Sequence, residues 1–80
     1  MQLLNIGYDA FVSKSMIVLI VSIGSSGVKR FKEEAKANGR LIDATHGHKA
    51  RAIIVTSNDN VILSAVATNT LRDRNLKKKD

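Results

Sequence analysis

Eighty residues suffice for one hydrophobic core and no more, since a chain this short leaves much of its surface wet even when folded. Hydrophobic residues make up 44% and charged residues 25%, which excludes an unfolded polyelectrolyte, and the absence of cysteine excludes a disulfide framework or a thiolate-held zinc or iron–sulfur centre. With 13 Lys and Arg against 7 Asp and Glu, the formal charge is +6 and the pI about 10.1, a bias toward polyanionic partners such as nucleic acid.

In chain order, apolar residues 3–6 stop at Gly7-Tyr8-Asp9 and resume at 10–12, the pattern of two short strands joined by a turn. Residues 16–23 are rich in β-branched side chains and apolar on both faces of a two-residue repeat, which predicts a strand covered on both sides and ended by Gly24. This run is far shorter than the roughly 20 residues that cross a bilayer. The N-terminus also lacks the charged start and small-residue cleavage site of a secretory signal, so a cytoplasmic protein with no membrane partner is expected.

Val28, Phe31 and Ala35 then recur at helical spacing, with Lys29 four residues before Glu33 and Arg30 four before Glu34. They predict a helix over about 26–38, capped by a serine and ended by Asn38-Gly39. Leu41-Ile42 leads as a strand into a polar, basic loop, 43–49, whose freedom rests on Gly47. Residues 52–55 and 61–66 are two further β-rich runs, separated by the turn-forming Thr56-Ser57-Asn58-Asp59-Asn60, and predict an antiparallel hairpin. Thr68 opens a short helix reaching about Leu76. Lys77-Lys78-Lys79-Asp80 has no apolar residue and is expected to be a mobile basic tail beyond a single domain of residues 1–76. The predicted class is α+β: a small, mostly antiparallel sheet with one central helix and a short C-terminal helix.

The runs 16–23, 52–55 and 61–66 are apolar on both faces, whereas one good helix and one weak helix are available to cover them. One face is expected to be covered within the subunit and the other against further copies of the chain, which predicts a homo-oligomer.

Catalytic constellations are sparse. His46 and His48 would point to one side of an extended segment, and with Asp43 they make an incomplete metal shell. An Asp at a strand end, followed by Thr45, more often satisfies loop amides than performs chemistry. Gly24-Ser25-Ser26-Gly27 precedes a helix but lacks the lysine of a phosphate-binding loop and matches no nucleotide fingerprint. No catalytic residue, metal, cofactor or small-molecule substrate is therefore expected. The remaining cluster is basic: His48, Lys49 and Arg51 follow Gly47 within reach of a phosphate backbone, with no aromatic interleaving for base stacking.

Asn5-Ile6-Gly7-Tyr8, Val12-Ser13, Ile42-Asp43-Ala44-Thr45, Arg51-Ala52 and Val61-Ile62-Leu63-Ser64-Ala65-Val66, in this order, resemble the RemA family of extracellular matrix regulatory proteins up to about Arg74. The resemblance implies a DNA-binding transcriptional regulator of bacterial biofilm-matrix genes, whose subunits form rings that present basic residues to double-stranded DNA. The family's loop reads Tyr-Gly-Arg-Arg-Thr-Arg where this chain has His46-Gly47-His48-Lys49-Ala50-Arg51, so Lys49 and Arg51 keep the charge and His48 departs from it. Met16 stands at another of the family's basic positions, and Lys14, two residues earlier on the same side of an extended segment, is a candidate substitute. DNA contacts are thus expected at His48, Lys49, Arg51 and Lys14. The alternative is a non-catalytic scaffold whose basic surface binds an acidic protein.

Overall fold

In a computed structural model, which describes residues 2–24 and 26–76, the apolar runs that follow the basic loop pair at the middle of a four-stranded sheet. In chain order the elements are β1 (Leu3–Gly7), β2 (Ala10–Ser13), a 3-10 turn (Lys14–Met16), β3 (Ile17–Ser22), α1 (Ser26–Ala37), β4 (Leu41–Asp43), β5 (Ala52–Thr56), β6 (Val61–Ser64) and α2 (Thr68–Leu76). The large sheet has the order β3-β5-β6-β4, and β1 and β2 form a separate hairpin. The class is α+β and mostly antiparallel, with one exception: β4 lies parallel to β6, because α1 carries the chain from one sheet edge to the other.

Register explains how two short strands serve two cores. Ala52, Ile54 and Ile62 share one face of the β5–β6 pair, and Ile53, Val55, Val61 and Leu63 share the other. The first face packs against Leu4 and Ile6 of β1 and Leu71 of α2; the second packs against Ala35 and Val28 of α1. Both faces of these central strands are therefore covered inside one chain, which corrects the expectation that one face is left for other copies. The uncovered apolar surface lies instead at the edge strand β3, where Val18 is 66% and Leu19 48% exposed. The 16–23 run is thus not covered on both sides, and Val18 falls where the β3–β5 register slips.

Boundary differences have local causes. Residues 14–16 form a 3-10 turn rather than the start of the long strand, and Ser57 N–H donates to Met16 O at 2.7 Å across to the β5–β6 turn. At the end of α1, Arg40 N–H reaches Ala35 O (2.9 Å) and Gly39 N–H reaches Lys36 O (3.2 Å), with Gly39 at φ 72°. This double closure satisfies the orphan carbonyls and requires the left-handed residue that Asn38-Gly39 promised. The expected serine cap involves Ser25, and the basic tail is residues 77–80; both lie outside the described residues. Among the described residues, neither Lys29 with Glu33 nor Arg30 with Glu34 closes into an ion pair, and all four stand in solvent, where such pairs contribute little. No described helix is long and apolar enough to cross a membrane.

β6 ends at Ser64 rather than Val66 because the serine hydroxyl takes over the pairing. Fully buried, Ser64 Oγ donates to Ile6 O at 2.8 Å and accepts from Val66 N–H at 3.1 Å, tying the hairpin to the end of the central strand.

Candidate nucleic-acid interface

The basic loop leaves the sheet from β4 and returns to it at β5, and both its ends are held by β6. Ala44 N–H donates to Leu63 O (3.0 Å) and Arg51 N–H to Ser64 O (2.8 Å). Between them the chain turns tightly: His46 (φ 53°) and Gly47 (φ 81°) are both left-handed, and His48 N–H closes on Thr45 O at 3.0 Å. The segment is therefore a turn and not the extended stretch assumed for the two histidines.

Asp43 has a structural partner. Its Oδ1 accepts from the Thr45 hydroxyl at 2.6 Å and from Thr45 N–H at 2.9 Å, while Thr45 itself is buried. These bonds, the hydroxyl first and the amide second, hold the Asp43 carboxyl below its ordinary value of 3.8; His46 adds a small charge effect in the same direction, and desolvation opposes. A depressed carboxylate contributes stability that is present above about pH 4 and lost as pH falls through its lower, folded value. Thr45→Val should move the Asp43 titration back toward 3.8, followed by carboxyl chemical shifts; an unmoved midpoint would refute the hydroxyl as the main cause. Among the described residues no three His, Cys, Asp or Glu side chains gather as a metal-holding group.

Lys49 and Arg51 come together. They line an open groove of ≈ 720 Å³ that is also lined by Gly24 and by the first turn of α2 at Thr68. Arg51 enters it on a backbone fixed on both sides, since its N–H is bound to Ser64 and its carbonyl accepts from Ile23 N–H at 3.3 Å. The two cations thus stand beside the N-terminal, positive end of a helix, and a phosphate in the groove would meet donors from both. Ser22 Oγ, at the end of β3, bonds to Thr68 Oγ1 and keeps that helix start against the sheet.

Lys14 is placed apart from this groove. It lies in the 3-10 turn, so the same-side argument for an extended strand does not hold, and its Nζ donates to Arg74 O at 3.2 Å in the last turn of α2. Six residues separate Arg74 from Thr68, about 9 Å along a helix, so Lys14 and the Lys49–Arg51 pair belong to opposite ends of α2. Beside Lys14 runs a second groove, ≈ 590 Å³, between β3 and α2, walled by Val18, Leu19, Arg72 and Leu76.

One participant was not singled out from the sequence. The Tyr8 ring, on the β1–β2 turn, stacks on His48 with centroids 4.5 Å apart and planes at 8°, and on His46 at 5.7 Å and 26°. An aromatic side chain does therefore neighbour the basic loop, although forty residues of sequence separate it from His48. The only local signal was a bulky residue inside a Gly-Tyr-Asp turn.

Residues 3–74 match the family model described as RemA-like, extracellular matrix regulatory protein A-like. A relative from Thermodesulfovibrio yellowstonii is 50% identical over 73 residues, covering 91% of this chain and 86% of its own. Another from Alkaliphilus metalliredigens is 51% identical over 73 residues (91% and 78%), and one from Geobacillus thermodenitrificans is 46% identical over 74 residues (92% and 85%). All three carry names beginning "Putative regulatory protein", the name of a regulator and not of an enzyme. A match over nearly the whole chain, carried by relatives at about half identity, means that this protein belongs to the RemA-like family.

Proposed function

We propose that the protein is a non-catalytic, oligomeric DNA-binding regulator of the biofilm-matrix type, which grips the phosphates of double-stranded DNA through His48, Lys49 and Arg51 repeated on every subunit. The observation that carries the reading is the convergence of Lys49, Arg51 and the positive end of α2 on one open groove. The net charge of +6 and membership of a regulatory family support it. A regulator of this kind works beside the chromosome, in the cytoplasm.

Copies of the chain are joined, in this reading, along the apolar edge of β3. Among the described residues that strand has pairing partners on one side only, and Val18 and Leu19 stand exposed near Leu76, itself 70% exposed. An edge that meets a different surface of the next copy generates a closed ring when the rotation closes. The groove residues then recur at fixed spacing around the assembly, and multivalency makes up for weak single contacts. With contacts mostly to phosphate, preference among sequences comes from DNA shape and bendability. Lys14, bound to the far end of α2, contributes at the margin of this surface.

The test is the native mass of the particle with and without a short DNA duplex across a salt series. A multimer that takes up DNA at low salt and releases it as salt rises is expected, because each neutralised phosphate contributes a slope of about −0.9 in log affinity against log salt. A monomer, or a multimer indifferent to DNA at the lowest salt, overturns the reading. The latter outcome points to an acidic protein as the partner of the basic surface.

A further inference from the structure

We propose that Tyr8 is a positioning residue for the basic loop: its ring, stacked on His48 and His46, holds the loop tip so that Lys49 presents its charge, and His48 its ring, to DNA. The inference rests on the DNA-binding reading and adds a residue outside the basic segment to its machinery.

Three observations lead there. The first is contact, since a centroid separation of 4.5 Å with planes at 8° is a face-to-face arrangement of two rings, and His46 adds a second, looser contact at 5.7 Å. The second is backbone geometry. Gly7, Tyr8 and Asp9 all have positive φ (102°, 52° and 63°), the form of a tight hairpin turn in which Asn and Gly are the favoured residues. A bulky aromatic is rarely found in that conformation, and the turn by itself offers no reason for one.

The third observation concerns anchoring. The hairpin turn and the basic loop are both referred to the same stretch of chain, the end of β6. Ser64 Oγ binds Ile6 O, and Gly7 lies so close to Val66 that an added Cβ would stand 2.9 Å from Val66 Cγ2. The loop's own ends are bonded to Leu63 and Ser64. With both bases fixed to one strand end, the free tip of the loop, His46-Gly47-His48, has the Tyr8 ring as its lateral contact. Lys49 follows directly on His48, so restraint of the imidazole also limits where the Lys49 stem begins. Tyr8 is itself 45% exposed, and the stack therefore forms part of the accessible surface beside the groove.

Tyr8→Asn separates the ring from the turn, because Asn accepts left-handed geometry better than Tyr while removing the stack. Tyr8→Phe keeps the ring and removes only the hydroxyl. Two readouts on the assembled protein decide the matter: amide exchange of residues 44–51 without DNA, and affinity for a labelled duplex at fixed salt. For Tyr8→Asn we expect faster exchange in the loop with unchanged exchange in β5, and DNA affinity lower by about three- to tenfold, the range of one aromatic contact. Tyr8→Phe should match the wild type in both.

Unchanged loop exchange in Tyr8→Asn overturns the positioning role, whether or not the protein binds DNA. Loop exchange that rises while affinity stays at the wild-type value shows a stack with no part in binding, and overturns it too. Exchange that rises equally in β5 identifies a fold-wide effect and does the same. If the wild type binds no duplex at low salt, it is the DNA reading that fails, and the exchange arm still reports separately on whether Tyr8 holds the loop.

Discussion

Changing Lys49 and Arg51 together to glutamate should abolish duplex binding, by about a hundredfold or more at moderate salt, while the native mass of the protein stays the same. Each substitution replaces an attraction for phosphate by a repulsion, and in a repeated assembly the loss recurs on every subunit. The fold should tolerate both changes, since the two side chains are exposed and Arg51 supports the sheet through its backbone, by way of Ser64 O and Ile23 N–H. A duplex titration of the double variant, run beside its native mass, checks both halves of the statement. Binding that survives the reversal would remove the groove from the mechanism.

Leu71→Ala should cost about 2–5 kcal/mol, the usual range for a fully buried leucine truncated to alanine. Leu71 is fully buried and is the buried residue of α2, where it packs with Leu4, Ile6, Ala52, Ile54 and Ile62. A helix of nine residues is too short to persist in water on its own strength, so α2 depends on this anchor. For a domain of this size the loss is a large part of a total stability of roughly 5–15 kcal/mol. Urea unfolding measures it, and a change below about 1 kcal/mol would show that α2 is held by its edges instead. Those edges are the bonds from Lys14 Nζ to Arg74 O and from Arg74 Nη1 to Asn5 O. Because Thr68 forms a wall of the basic groove, loosening α2 should also weaken DNA binding below full unfolding.

Residue order alone determined the local structure and the kinship. Apolar, β-rich runs bounded by turn residues placed β1, β2, β5 and β6, helical spacing placed α1, and Asn38-Gly39 marked its end, because each signal lies within a few residues of the element it specifies. The motifs around Asp43-Ala44-Thr45 and Val61–Ser64 pointed to the RemA-like family in the same way. Asp43 with Thr45 was legible as a loop-supporting pair, since both partners are two residues apart.

What only the tertiary structure decided was everything set by strand order and by contacts distant in sequence. A run such as 16–23 reads as doubly buried whether it lies at the centre or the edge of a sheet, and only the β3-β5-β6-β4 order makes it an edge with Val18 in solvent. The parallel placement of β4 follows from that same order, and the separation of Lys14 from Lys49 and Arg51 by the length of α2 and the stack of Tyr8 on His48 follow from how α2 and the β1–β2 hairpin pack beside the sheet. Side-chain periodicity records which way a residue faces relative to its neighbours in the chain; it carries no information about which distant segment it will face, and that is settled when the two cores close together.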